Sequence, residues 1–127
     1  MHPFLQRGLM VQGEEVSATH EVLMTELNRA QRSKDPQVVA ACIANLQSTL
    51  PSHFAVEETQ GGLFDWIEAL LPARSPDIAA LLVQHGELFR AVQALDPSSL
   101  DAFAQALREH EAKERELLLA AIESHRD

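Results

Sequence analysis

Apolar residues in this chain recur at alternating steps of three and four, the period of a helix that buries one face. Four such stripes follow one another. The first, from about Gly13 to Arg32, passes through Val16, His20, Leu23, Leu27 and Ala30. The second starts at Pro36 and passes through Val39, Ile43, Leu46, Leu50, His53 and Glu57. The third, from about Pro76 to Leu95, uses Ile78, Leu82, His85, Phe89 and Val92. The fourth runs from Asp96-Pro97 to about Ser124 through Leu100, Phe103, Leu107, His110, Glu114, Leu117 and Ala121. Asp35-Pro36, Ser75-Pro76 and Asp96-Pro97 mark the starts, each joining a capping side chain to a proline that suits a first helical turn. Pro51 lies inside the second stripe and should kink it, because proline removes a backbone donor. Gly61-Gly62 weakens that helix, yet Phe64, Ile67 and Leu71 resume its stripe, which predicts a broken continuation. No strand pattern is present. Residues 1–12 carry no strong period and read as a loosely packed N-terminal arm. The expected fold is all-α: an up-down-up-down four-helix bundle, with residues 1–127 a single domain.

Composition narrows the function classes. The 46% apolar and 23% charged residues are globular proportions. A formal charge of −9 sets the chain against nucleic acid and anionic membrane surfaces, and no apolar run approaches the length of a membrane span. The one cysteine, Cys42, allows no internal disulfide and reads as a small buried apolar residue. With no signal-like apolar core at the start, a cytoplasmic location is expected. Tyrosine is absent, which removes tyrosinate ligands. No nucleophile–base arrangement or glycine-rich phosphate loop is visible, so hydrolase and nucleotide roles are disfavoured.

The chemistry lies where the stripes turn polar. His53 and Glu57 are four apart and share a helix face, as do His110 and Glu114, and each pair is preceded by a lone histidine, His20 and His85. All six stand where an apolar residue is expected. Burying one unpaired carboxylate costs on the order of several kcal/mol. A domain whose whole stability is about 5–15 kcal/mol does not carry that penalty repeatedly without compensation. Two cations among the six remove it, accepting the imidazole lone pairs and offsetting the carboxylates. Imidazole with carboxylate suits iron, manganese or zinc. His2 and His125 read as solvent-exposed. Glu58 points about 100° away from Glu57 and reads as a solvated or outer group. The remaining charged residues of Arg108–Glu116 read as a solvated face laced with ion pairs.

With His20, His53-Phe54-Ala55-Val56-Glu57-Glu58, His85 and His110-Glu111-Ala112-Lys113-Glu114 in this order, the chain resembles the hemerythrin-like family, in its HHE cation-binding branch. The resemblance implies a non-haem centre of two iron ions with an oxo or hydroxo bridge. It assigns His20 and His53 to one iron, His85 and His110 to the other, and Glu57 and Glu114 to the bridge. Oxygen-carrying hemerythrins have a second histidine one turn away on the third helix, where Leu81 and Phe89 flank His85 here, and end in His-x-x-x-x-Asp rather than His-x-x-x-Glu. A coordination position left open would take water, Glu58 or Glu21, or an outside ligand.

The expected function is therefore binding of dioxygen, nitric oxide or a related small oxidant, as sensor or scavenger, with Met24, Leu81 and Phe89 lining a dry pocket. Two alternatives stand beside it. One is iron storage or donation for iron–sulfur repair; the other is a metal-free helical module that pairs with a partner protein.

Overall fold

The computed structural model describes the backbone of residues 3–124 and the side chains of residues 18–124. His2 and His125 lie outside the described residues. The elements are α1 (Pro3–Arg32), α2 (Pro36–Glu58), α3 (Leu63–Leu70), α4 (Ser75–Gln93) and α5 (Leu100–Ser124), with a 3-10 turn at Pro72–Arg74. No strand occurs among them. The backbone is already helical at Pro3, so the segment expected to precede the first helix is its beginning.

Local chemistry explains most of the boundaries. The Asp35 carboxylate accepts from the Gln37 amide at 2.9 Å, and Pro36 occupies the first turn of α2. Asp96 accepts from the amides of Ser98 and Ser99 at 2.9 and 3.0 Å, tightening the turn before α5. Ser75 behaves otherwise. It is the first residue of α4 rather than its cap, and its hydroxyl donates back to the Pro72 carbonyl. Helix α2 runs through Pro51 and stops at Glu58. Gly61 turns the chain with φ +78°, a conformation that favours glycine. At Gly62 a Cβ would lie 2.5 Å from the Val56 carbonyl oxygen, so the close return of the chain needs a residue without one. The expected broken continuation is therefore α3.

The four long helices form a closed ring in which α1 and α4 each pack against both α2 and α5. The short α3 lies against all four, closing one end. Up-down-up-down succession with short turns gives this neighbour pattern directly. On α4 the buried side chains are Ile78, Leu81, His85, Leu88 and Val92, not the expected Leu82 and Phe89, which are exposed.

The apolar interior is divided in two. A larger cluster joins Leu23, Leu27, Val39, Ile43, Leu46, Leu50, Leu88, Val92, Phe103 and Leu107 with their neighbours, drawing on all four long helices. Cys42 lies within it as a free, fully buried thiol. A smaller cluster gathers Leu63, Phe64, Ile67 and Leu70 of α3 with Ile78, Leu81, Leu117 and Ala121. Between the two is a polar layer. Among the described residues no helix is long and apolar enough to cross a membrane.

Candidate metal centre

The polar layer consists of His53, Glu57, His85, His110, Glu111 and Glu114, each at most 4% exposed. Helical spacing assembles it. His53 and Glu57 occupy the last turns of α2, His85 the middle of α4, and His110, Glu111 and Glu114 successive positions of one α5 face. The layer sits one turn beyond Leu50 on α2 and Leu107 on α5, and Phe54 of the larger apolar cluster reaches into it.

The three imidazoles share one orientation. Each outer nitrogen is engaged: Nδ1 of His53 lies 2.7 Å from the Thr19 hydroxyl, that of His85 2.9 Å from Glu58, and that of His110 2.7 Å from the Gln84 side-chain oxygen. An Nδ1–H donated to Glu58 or to Gln84 leaves Nε2 as the atom with the lone pair, and Nε2 is the atom facing inward. Phe54 stacks flat on His85, with centroids 3.8 Å apart and planes 9° from parallel, and meets the His110 ring edgewise. The rings are thus set by packing and hydrogen bonds together.

Inside this frame the donor atoms meet only one another. His53 Nε2 is 3.5 Å from Glu57 Oε2 and 3.3 Å from Glu111 Oε1. His85 Nε2 is 3.3 Å from Glu57 Oε1 and 3.9 Å from Glu114, and His110 Nε2 is 3.4 Å from Glu114 Oε2. None of these inward nitrogens has a hydrogen-bond partner, nor do Glu57 Oε1 and Oε2, Glu111 Oε1, or Glu114 Oε1 and Oε2. Leaving a buried polar group unsatisfied costs about 1–3 kcal/mol, more when it is charged. So many converging lone pairs are a set of donors to a cation. Two groups of four fit one: Glu57, His85, His110 and Glu114, and His53, Glu57, Glu111 and Glu114, each with ligand atoms within 4.8 Å of one another. Glu57 and Glu114 belong to both groups.

Electrostatics prepare the same role. Burial, helped by neighbouring imidazoles, lowers His85 and His110 to a pKa of about 4, so both are neutral donors at pH 7. Burial pushes Glu114 up to about 8. Burial acts in the same direction on Glu111, but the hydrogen bond with His20 and the nearby His53 imidazole outweigh it and hold the carboxyl at about 2. His20 is raised in turn, chiefly by its bond to Glu111.

Of the six residues marked by the sequence, His53, Glu57, His85, His110 and Glu114 converge. His20 does not join them. Its side chain is 33% exposed and its Nδ1 lies 3.0 Å from Glu111 Oε2, so a carboxylate stands between this imidazole and the cluster. Glu111, read as part of a solvated run, is instead buried within the layer. Its signal was its place seven residues after the buried Ala104, on the same face of α5. Glu58 reaches His85 from outside as an outer group, and Glu21 is exposed. The expected dry lining is only partly present: Leu81 is fully buried beside His85 and Met24 is half-buried, but Phe89 is exposed at the surface.

A family model, the hemerythrin HHE cation binding domain, matches residues 13–122. No curated protein and no solved structure matches the chain.

Proposed function

The chain belongs to the hemerythrin HHE cation-binding domain family, and on that premise we propose that it is a non-haem di-iron protein that binds dioxygen, nitric oxide or a related small oxidant. One observation carries the reading: eight buried nitrogen and oxygen atoms of the polar layer point inward without hydrogen-bond partners, while the outer face of every imidazole there is tied down. Family membership and this cluster fit a metal-binding protein. Iron and the small ligand are the step beyond them.

The donor set supports that step. It holds imidazole and carboxylate without thiolate, which suits iron, with manganese or zinc the less favoured occupants. His85 is the one imidazole that α4 supplies, with Leu81 and Leu88 buried on either side of it along the helix. Bound iron supplies an exchangeable coordination position and the electrons for reaction with a small oxidant. The protein's part is to exclude water with Phe54, Leu81 and Phe64, to keep His85 and His110 neutral, and to hold each imidazole at a fixed angle. Such seclusion favours a retained centre over iron storage or donation. It also turns the polar layer inward, away from any partner helix.

The test is optical. Protein loaded with iron, reduced and kept anaerobic should develop charge-transfer absorption in the near-ultraviolet and visible on addition of dioxygen, nitric oxide or azide. Stoichiometric iron with no spectral response to any of the three would overturn the small-ligand reading.

A further inference from the structure

Resting on the reading of a two-metal centre, we propose that its two positions are chemically unequal, and that Glu111, braced from outside by His20, is the terminal ligand that makes them so. After the shared Glu57 and Glu114 are set aside, one group retains His85 and His110, and the other retains His53 and Glu111. The first position is therefore nitrogen-rich. The second has a single imidazole among three carboxylates.

The two oxygens of Glu111 have different tasks. Oε2 lies 3.0 Å from His20 Nδ1 on the side towards solvent. Oε1 is buried, has no hydrogen-bond partner and lies 3.3 Å from His53 Nε2. Glu111 thus has the layout of the three inward imidazoles, one atom anchored outside and the other aimed at the centre. His20 stands to Glu111 as Thr19, Glu58 and Gln84 stand to the three rings. An outer partner of this kind fixes the ligand's orientation and typically changes metal affinity by about 10–100-fold.

Donor chemistry then ranks the positions. Imidazole suits iron, cobalt and zinc, whereas carboxylate suits manganese and magnesium. The His85–His110 position takes the first equivalent of a borderline divalent ion. The His53–Glu111 position fills second and discriminates less against manganese. The centre accordingly accepts mixed occupancy, with zinc or iron on the nitrogen-rich side and manganese on the other.

Cobalt(II) tests this without any reaction being followed. Metal-free protein titrated anaerobically should bind two equivalents in two resolved steps with different ligand-field spectra. Glu111→Gln, similar in size but uncharged and with one acceptor oxygen in place of two, should keep the first step and lose or greatly weaken the second. His20→Gln, altered nearer the surface, should weaken only the second step, by about tenfold and by less than Glu111→Gln. Circular dichroism of each variant establishes that it is folded. Two equivalents bound with one spectrum and unchanged in Glu111→Gln would overturn the proposal. So would a second equivalent lost in His20→Gln but kept in Glu111→Gln, since His20 would then be the ligand. If the unaltered protein bound no cobalt, the two-metal reading itself would fail, and this proposal with it.

Discussion

The two apolar clusters on either side of the polar layer are built differently. The larger one is woven from α1, α2, α4 and α5, so each long helix holds the others through side chains such as Leu27, Leu46, Leu88 and Phe103. The smaller one rests on α3, the first turns of α4 and the last turns of α5. Along α4 and α5 the two clusters communicate across a layer whose donors repel one another unless a cation lies among them. One end of the bundle is held chiefly by hydrophobic burial, with hydrogen bonds such as Gln47 to the Val92 carbonyl and Arg108 to Asn28 and Gln31 around it. The other is joined to it across the donors of the candidate metal centre.

That contrast can be broken or sharpened experimentally. The largest effect belongs to the woven end: Leu46→Ala should cost about 2–5 kcal/mol, with or without metal, as measured by denaturant unfolding. Next comes the coordination layer. His53→Ala and Glu57→Ala should each lose metal, measured by elemental analysis. Each should also forfeit the linkage stabilisation, about 2.7 kcal/mol at a free metal concentration of a hundred times Kd. Hydrogen exchange on the metal-free protein should then rise first in Leu63–Leu70 and at the end of α5, and stay slow across Val39–Leu50.

The pH dependence of the metal-free fold follows from the same layer. His85 and His110, lowered from 6.5 to about 4, contribute stability that is complete above pH 6.5 and is lost as pH falls through 4. Glu114, raised from 4.5 to about 8, contributes stability that is complete below 4.5 and is lost as pH rises through 8. Below pH 6.5 two imidazoles oppose one carboxyl; above it the carboxyl acts alone. Melting temperature without metal should therefore peak near pH 6.5. At pH 7 metal uptake in weak buffer should release a proton from Glu114 and none from these two imidazoles. The smallest change lies at the far turn, where Asp35→Ala should cost about 1 kcal/mol and leave the metal content unaltered.

How far the sequence spoke depended on whether one stripe admits one reading. On α2 it does: Val39, Ile43, Leu46, Leu50, His53 and Glu57 are all buried as expected. On α4 two paths share Ile78, His85 and Val92, and steps of three and four can alternate in either order between them. One path passes through Leu82 and Phe89, the other through Leu81 and Leu88, and only the neighbouring helices select the second. On α5 a run of alternating charges masked Glu111, because a carboxylate beside lysine and arginine normally faces water. His20 shares a stripe with the buried Leu23 and Leu27 but reaches the layer through Glu111, while Thr19 beside it reaches His53.

The stop of α2 at Glu58, imposed by the glycine turn, has a consequence of its own. A helix ends in a fractional negative pole, which normally favours basic residues in its last turn. This helix has none there and carries Glu57 and Glu58 instead. Backbone and side chains thus concentrate negative potential at one spot, an arrangement that lowers helical stability and raises the attraction for a positive ion.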